Sequence, residues 1–388
     1  MPDISKYFDY AATTPVHPDV VNAMSPYFSE CFGNPSSAHR WGQDAFTAVE
    51  EARESLSKHF HTNPENICFT GSSTESNNTV LNHFVMSYWN ENRKPGHLII
   101  SPLEHSAVGQ TAQHLHEAGF CVLDYLPVDH HGIVNPDDLS RMIRKDTVLV
   151  SVIYGNNEIG SVNPIPDLGN ICKTKNVPFH TDATQFAAHQ LVDLQKLPVD
   201  FISVAAHKCY GPKGIGALIS NSKINIMPLI FGGRQEKAQR AGTHNVPYIV
   251  GMAKAYALLE AECDNRIHAE KRHRDRIFEQ ISTKIPDVVI TGHPTNRLSN
   301  HTSFAFRNVD GLSLLALLDQ SGFAVSIGSA CRSTSIKGQQ QLRNIGLDNE
   351  WTNGGLRITV GAFTTDDAVD ELTETLARYI SFLRKNTR

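Results

Sequence analysis

The chain has 388 residues, of which 40% are hydrophobic and 19% charged, and its formal net charge is −5. This length exceeds what one hydrophobic core usually sustains, so length and composition together predict a globular protein of two domains. The acidic balance argues against a broad surface for nucleic acid or anionic membrane, and no apolar run is long enough to cross a bilayer.

The N-terminus and the cysteines indicate a reducing compartment. The start, MPDISKYFDYAATT, lacks the charged and apolar regions of a secretory signal peptide. The seven cysteines are scattered and form no C-x-x-C pair, which is typical of free thiols in a cytoplasmic enzyme. We therefore expect a cytoplasmic protein with no disulfide framework and no metal site.

Short β-rich runs alternate with amphipathic stretches between about residues 65 and 220. The predicted strands are 67–70, 97–100, 120–126, 147–154, 177–182, 200–206 and 214–220. Apolar strands that alternate with helices are typical of a mostly parallel sheet covered on both faces. The predicted fold class is therefore α/β.

The pattern changes after about residue 260, where a long charged helix begins. Further strands are predicted near 287–291, 302–307 and 323–327, and a final helix from about 365. This part is typical of a smaller α+β domain. The expected organisation is an N-terminal arm (1–20) that packs on the small domain or on a partner subunit, a large domain (21–258) and a small C-terminal domain (259–388).

Polar residues follow several of the predicted strands. Ligands of open α/β sheets bind beyond the carboxyl ends of the strands, so these residues are candidates for one site. The loop TGSSTESNN opens a helix, and its Ser72, Ser73 and Thr74 indicate either a phosphate site or a simple helix cap. Later strand ends supply His105, the amide-rich turn GNNEIG, Asp182 with Gln185, and His207 with Lys208.

Lys208 stands between a buried strand and a glycine-rich loop, in SVAAHKCYGPKGIG. Its local context alone is equally typical of a lysine that reaches solvent from a strand end. The whole set, however, matches the needs of pyridoxal phosphate: a lysine for the aldehyde, a carboxylate for the ring nitrogen, a partner for the ring hydroxyl, a flat stacking group and a helix N-terminus for the phosphate. Lys208, Asp182, Gln185, His105 and the 71–76 loop fill these roles in turn.

Nine motifs resemble those of a known family, in the family's order and from about residue 7 to 365. They are YFDYAATTP, FGNPSS, ICFTGSSTESNN, EHSAV, YGNNEIGSV, HTDATQ, AAHKCYGPKGIGAL, GGRQEKAQRAGTHN and SIGSACRS. This series resembles that of the NifS/IscS-type cysteine desulfurases, in the class V group of fold-type I pyridoxal phosphate enzymes. The resemblance implies a large cofactor-binding domain, with a mostly parallel sheet between helices, and a smaller C-terminal domain that carries the catalytic cysteine loop.

The resemblance also implies an activity and a set of residue roles. The activity is removal of sulfur from L-cysteine, which gives L-alanine and a persulfide on an enzyme cysteine. The implied roles are Lys208 as the Schiff-base lysine, Asp182 as the pyridinium partner, His105 as the stacking and proton-transfer residue, Gln185 at the ring hydroxyl, Asn157 beside the cofactor, Ser73, Thr74 and His207 at the phosphate, Thr243 at the phosphate of the other subunit of a homodimer, and Asn34 and Arg357 at the substrate carboxylate.

Cys331 is the predicted sulfur acceptor. A lone cysteine is most often a buried core residue, but Cys331 lies among small and polar neighbours in SIGSACRSTS. The adjacent Arg332 favours the thiolate, which is the nucleophile. The match to the family motif then implies the catalytic role, whereas Cys209, next to Lys208, is interpreted as a packing residue.

Other interpretations remain open at this point. A class V relative with different chemistry, such as a selenocysteine lyase or an aminotransferase, is the main alternative, and a cofactor-free scaffold is a third. Two departures from the family pattern are Ala205, where a serine usually binds the phosphate, and Arg332 after the cysteine. We expect a sulfur-acceptor protein as partner, for iron–sulfur assembly or for sulfur modification of tRNA or DNA, with no direct contact to nucleic acid or membrane.

Overall fold

The computed structural model describes residues 2–222, 224–327 and 335–386. Its larger sheet has seven strands in the spatial order β1-β7-β6-β5-β4-β2-β3. They are β1 (Ile67–Thr70), β2 (Gly96–Ile100), β3 (Cys121–Tyr125), β4 (Thr147–Ser151), β5 (Phe179–Asp182), β6 (Phe201–Ala205) and β7 (Gly216–Ser220). Strand β7 is antiparallel to both of its neighbours, and the other pairs are parallel. The predicted α/β class with a mostly parallel sheet is confirmed, and the carboxyl ends of six strands share one edge.

Helices precede, connect and follow these strands. Within the described residues they are α1 (Pro18–Met24), α2 (Pro26–Ser29), α3 (Arg40–His59), α4 (Ser73–Asn92), α5 (Ser106–Glu117), α6 (Pro136–Met142), α7 (Ile165–Lys175), α8 (Val246–Lys284), α9 (Gly311–Gln320), α10 (Ser335–Asn344), α11 (Asn349–Thr352) and α12 (Asp366–Asn386). In this part of the chain no helix is both long and apolar enough to span a membrane.

Apolar side chains of the large sheet point alternately to its two faces. In β2, Ile99 packs in a core with α3, α7 and α8, whereas Leu98 and Ile100 pack in a second core with α4 and α5. Strand β4 divides in the same way, with Val150 in the first core and Leu149 in the second. Each such buried side chain contributes about 1.5–3 kcal/mol, so the two layers hold the sheet and its carboxyl edge in place.

A second, antiparallel sheet has the order β10-β9-β8 and forms the centre of another core with α9 and α12. Its strands are β8 (Val288–Ile290), β9 (His301–Phe306) and β10 (Gly355–Thr359). The N-terminal segment joins this core through the fully buried Phe8, whose N–H donates to the carbonyl of Ala324 at 2.7 Å. The domain limits at residues 20 and 258 stay predictions. Helix α8 continues without interruption past residue 258.

Two local predictions differ from the structure. Residues 323–327 form isolated bridges from Ala324 to Tyr7 and from Ser326 to Arg357 instead of a regular strand. Strand β10, which pairs with β9, was not predicted because a glycine and an arginine interrupt its apolar pattern. The arginine in question, Arg357, is buried and ion-paired, which explains why alternation of apolar residues did not reveal the strand.

We predict that Gly216→Ala destabilises the protein. A β-carbon at Gly216 would lie 2.7 Å from the carbonyl carbon of Ser72 and 2.8 Å from the nitrogen of Ser73, at the start of α4. Because these are backbone atoms, the free energy of unfolding measured by urea titration should fall by about 1–3 kcal/mol. The matched control is Gly109→Ala in α5, where a β-carbon meets nothing within 4 Å; it should raise stability by about 0.5–1 kcal/mol. Equal stability of both variants would contradict the close approach of β7 to α4.

Candidate functional site

A cavity of about 610 Å³ lies beyond the carboxyl ends of the parallel strands. Its wall contains most of the predicted site residues, namely Ser73, Thr74, His105, Asn157, Asp182, Gln185, His207, Lys208 and Arg357. Asn34 and Thr243 do not line it, and Cys331 lies outside the described residues. The fold thus brings together, on one wall, residues that are up to 284 positions apart in the chain (357 − 73).

Lys208 ends a short 3₁₀ turn, Ala206–Lys208, that follows β6 directly. Its Nζ donates to the carbonyl oxygens of Ala11 and Ala12, at 2.6 and 2.8 Å. Burial and the positive charge of Arg357 lower the pKa of Lys208 to about 8. A substantial fraction of this amine is therefore neutral near physiological pH, which is the form that attacks an aldehyde or accepts a proton.

Asp182, the last residue of β5, is fixed by two donors. Its Oδ2 accepts a hydrogen bond from Nδ2 of Asn77 at 2.7 Å, and its Oδ1 accepts one from the backbone N–H of Thr184 at 3.0 Å. Asn77 lies on α4 and is fully buried. The carboxylate is therefore held in one orientation on the cavity wall, as a partner for a cationic ring nitrogen requires.

The two histidines of the wall present different groups. Nδ1 of His105 accepts the N–H of Ala107 at 3.1 Å, so the proton of the neutral imidazole lies on Nε2. Nδ1 of His207 lies 3.2 Å from Oγ1 of Thr13. Burial and the charges of Lys208 and Lys213 lower the pKa of His207 to about 4, so its ring is neutral at physiological pH.

The start of α4 offers an anion site. Ser72 caps the helix, its Oγ accepting the N–H of Glu75 at 3.2 Å, and Ser73 and Thr74 form the first turn on the cavity wall. Backbone N–H groups in a first turn have no acceptor within their helix, and the helix dipole is positive there. This end of the cavity therefore suits a phosphate group.

Buried polar atoms without partners test whether pyridoxal phosphate fits the cavity. Among the described residues, no donor reaches Oε1 of Gln185, whose Nε2 donates to the carbonyl of Ala11 at 2.8 Å. The same holds for Oδ1 of Asn157. Oε1 of Gln185 can accept a hydrogen bond from a ring hydroxyl, and Asp182, Lys208 and the start of α4 match the other polar groups of the cofactor. The residues present therefore fit pyridoxal phosphate.

Arg357 supplies the cavity with a buried cation. Its Nη2 donates to Oδ1 of Asp9 at 2.8 Å, and its Nη1 donates to the carbonyl of Asn157 at 2.9 Å and lies 3.4 Å from Oε1 of Glu158. The Nε–H is buried and has no partner among the described residues. The Nε–H of Arg357 is therefore an unused donor, which suits an anionic ligand.

Several residues of the site were missed when the sequence was interpreted. Asn77, Asp9, Glu158 and Glu104 all contact or complete the cavity residues described above. Each lies inside one of the quoted motifs, so their motifs were recognised but their roles were not. Glu104 adjoins His105 and Glu158 adjoins Asn157, but adjacency in sequence does not specify a contact. Asn77 and Asp9 are far in sequence from the residues that they contact, Asp182 and Arg357.

Asn34 and Thr243 both lie on exposed loops of the single chain. Oδ1 of Asn34 accepts the N–H of Ser36 at 3.0 Å and so closes its own turn. Neither side chain reaches the cavity of its own chain, and their predicted roles stay predictions that depend on a second subunit.

Comparison with known proteins adds a family to this geometry. The model of the family described as aminotransferase class-V matches residues 6–372. The cysteine desulfurase IscS of Dictyoglomus turgidum is 43% identical over 378 residues, which make up 97% of this chain and 95% of that protein.

Solved structures agree with the fold and with the family. A NifS-like protein superposes with a TM-score of 0.90 at 34% identity, covering 98% of this chain and all of the other. A structure of SspA in complex with cysteine gives a TM-score of 0.80 at 33% identity, covering 93% of this chain and all of that one. Since the match spans both sheets and the whole wall of the cavity, the chain belongs to the class-V aminotransferase family of pyridoxal phosphate enzymes.

Proposed function

We propose that this chain is a pyridoxal phosphate-dependent cysteine desulfurase, which removes sulfur from L-cysteine and yields L-alanine and a persulfide on Cys331. The observation that carries the proposal is the position of Lys208, Asp182 and Arg357 on one cavity wall. These three residues provide an amine for an aldehyde, a carboxylate for a ring nitrogen and a donor for an amino-acid carboxylate. The desulfurase IscS that is 43% identical, and the neighbour solved with cysteine, point to the same substrate.

Bound pyridoxal phosphate supplies an electron sink that stabilises negative charge on the α-carbon of the amino acid. Asp182 would hold the ring nitrogen, Gln185 the ring hydroxyl, and Ser73, Thr74 and His207 the phosphate. Lys208 would bind the aldehyde carbon and, once displaced by the substrate amine, would act as the base for the α-proton. Its pKa of about 8 suits this role, because an effective base has a pKa near the working pH.

Arg357 would bind the carboxylate of the substrate. Its Nε–H has no partner among the described residues, whereas each Nη group already contacts Asp9, Asn157 or Glu158. A planar guanidinium recognises a carboxylate through parallel N–H bonds, so the free edge at Nε defines where the substrate lies. Asn34 and Asn157 would complete this end of the site.

Cys331 would attack the substrate sulfur as a thiolate. The new S–S bond forms while the C–S bond of cysteine breaks, and the carbon that carried sulfur takes a proton and becomes the methyl group of alanine. His105, with its proton on Nε2, would supply or relay that proton.

The described residues on either side of Cys331 support its assignment. Ser326, five residues before Cys331, pairs with Arg357 through two backbone hydrogen bonds of 2.6 and 3.1 Å. Gln340 and Gln341, on α10, lie on the cavity wall. Five residues span at most about 17 Å, so the chain length allows the thiol to reach the substrate end of the cavity. A cysteine in this place favours a desulfurase over an aminotransferase, which needs no thiol.

The active form would be a homodimer. Large apolar side chains remain exposed on the single chain, with Phe231 at 76% exposure and Phe28, Phe32, Trp41 and Phe46 above one half. Phe32 and Trp41 lie side by side, with ring centroids 5.2 Å apart, and exposed aromatic residues are typical of subunit interfaces. A second copy would cover them and bring Thr243 to the phosphate of its partner. The further partner would be a sulfur-acceptor protein in the cytoplasm.

Removal of the proposed nucleophile gives the first test of the reaction. Cys331→Ala should reduce sulfide release from L-cysteine in the presence of a thiol reductant about a hundredfold or more, because no persulfide forms. Visible absorbance of the bound cofactor should be unchanged. The control is Cys31→Ala, a partly exposed thiol outside the cavity, which should keep its activity. Full activity of Cys331→Ala would mean that another group accepts the sulfur.

The pKa of Lys208 gives a second test. We expect the rate at which pyridoxal phosphate attaches to cofactor-depleted protein to rise with pH and to level off above about pH 8, because only the neutral amine attacks the aldehyde. Borohydride reduction followed by mass spectrometry locates the product on Lys208. Arg357→Gln removes a neighbouring positive charge, so it should move the midpoint to higher pH. A midpoint near that of an ordinary lysine, about 10.4, would contradict the assigned environment.

Mixed dimers test the role of Thr243. Differently tagged Lys208→Ala and Thr243→Ala chains can be co-expressed and the heterodimer purified. If Thr243 acts on the partner's phosphate, this heterodimer retains one site with both residues and binds one reducible cofactor with wild-type affinity. The Thr243→Ala homodimer should bind about tenfold more weakly at both sites, since a hydrogen bond to a charged group is lost. A heterodimer as weak as that homodimer would show that Thr243 acts within its own chain.

A further inference from the structure

Glu104 is a buried carboxyl group on the cavity wall to which the proposed reaction gives no role. It lies in the turn between β2 and α5, directly before His105, and only 8% of it is exposed. Its Oε1 accepts the backbone N–H of Ile153 at 2.6 Å. Ile153 follows β4, the neighbour of β2, so this bond ties the turn that carries His105 to the adjacent strand. Nδ2 of Asn156 makes a second tie, to the carbonyl of Leu103 at 2.9 Å.

The other oxygen of Glu104 has a different environment. Oε2 is buried, and no donor among the described residues reaches it. A carboxylate in that position would leave part of its charge without a hydrogen bond, which is costly in a buried site, whereas a carboxylic acid would carry its proton there.

The environment of Glu104 also favours the protonated form of its carboxyl group. Burial, reinforced by the negative charge of Asp182, raises the pKa of Glu104 well above its usual range, although the backbone N–H groups of Ile153 and Ser101 oppose the shift. Both oxygens of Asp182 have donors, Asn77 and Thr184, in contrast to Oε2 of Glu104. The remaining titratable groups on the wall are His105, Tyr125, Glu158, His207, Lys208 and Arg357, of which Glu158 and Arg357 already pair with each other.

We propose that Glu104 is a neutral carboxylic acid in the resting protein, that its Oε1 positions the turn bearing His105, and that its Oε2 carries the proton. This proposal takes from the proposed function only the identity of the ligands that the cavity binds. These ligands are an anionic cofactor and an amino-acid carboxylate. A neutral Glu104 does not repel these anions, and it leaves Asp182 as the carboxylate available to the ring nitrogen.

Infrared difference spectroscopy tests the protonation state directly. The spectrum of the holoenzyme minus that of its Glu104→Gln variant, at neutral pH, should contain the C=O stretch of one protonated carboxylic acid. Carboxylate stretches in its place would overturn the proposal. This readout needs neither cysteine nor turnover, so it distinguishes failure of this inference from failure of the desulfurase assignment, which the Cys331→Ala assay reports.

Two substitutions test the donor and the positioning role together. Glutamine keeps an acceptor for Ile153 and an N–H donor in the place of the acid proton, whereas Glu104→Leu removes both. We expect Glu104→Leu to bind pyridoxal phosphate about tenfold more weakly than wild type, and Glu104→Gln to recover most of that loss. Equal weakening by both variants would contradict the role of the neutral acid, and wild-type affinity in both would contradict the positioning role.

Stability as a function of pH gives an independent check. A carboxyl group whose pKa is raised on folding contributes stability that is fully present below its unfolded value, about 4.3, and is lost as pH rises through the folded value. Wild type should therefore lose stability relative to Glu104→Gln as pH increases above about 4.3. A difference between the two proteins that does not change from pH 4 to pH 8 would contradict a raised pKa.

Discussion

The buried guanidinium of Arg357 joins three segments that are far apart in the chain. It lies on β10 of the small sheet, pairs with Asp9 of the N-terminal segment, and contacts Asn157 and Glu158 after β4 of the large sheet. Transfer of such a charge from water costs several kcal/mol unless its donors are satisfied, so these contacts are mutually dependent. Burial opposes the charged form, but Glu158 and Asp9 raise the pKa of Arg357, which therefore remains a cation. The relative position of the two sheets at the cavity depends on this cluster.

The same cluster sets the electrostatic balance of the cavity. Asp9 and Glu158 neutralise much of the charge of Arg357, but neither of them binds its Nε–H. The guanidinium can therefore bind an anion through Nε–H while two carboxylates balance its charge in the buried site. Lys208 lies close enough to Arg357 for the guanidinium to lower its pKa. The N-terminal segment therefore acts twice, since Asp9 holds Arg357 while the carbonyls of Ala11 and Ala12 hold the amine of Lys208.

The sequence predicted the strands and the shared edge well because buried parallel strands are continuous apolar runs that end in polar residues. It did not predict the role of Glu104 or Asn77, because their partners, Ile153 just after β4 and Asp182 at the end of β5, are brought near them by the order of the sheet. Strand β10 was missed for a related reason: the charge of Arg357 is compatible with burial only through partners from other segments. The predicted roles of Asn34 and Thr243 concern a surface that one chain leaves open to solvent.

The loop that presents Thr243 outward is itself held rigidly from within. Glu236 accepts both Nη groups of Arg53, at 2.7 and 2.8 Å, and the N–H of Phe69 at 2.7 Å. Burial opposes its charge, but Arg53 and His244 hold the pKa of Glu236 at about 2. These bonds stabilise three consecutive left-handed residues, from Glu236 with φ of 45° to Ala238 with φ of 67°.

A second ion pair connects this loop to the start of α4. Arg240 binds Glu75 at 2.9 Å, and Glu75 also accepts the N–H of Gly71 at 2.7 Å, beside the proposed phosphate site of the same chain. Thr243 lies three residues after Arg240. This ion pair therefore ties the segment that carries Thr243 to the first turn of α4 in the same chain.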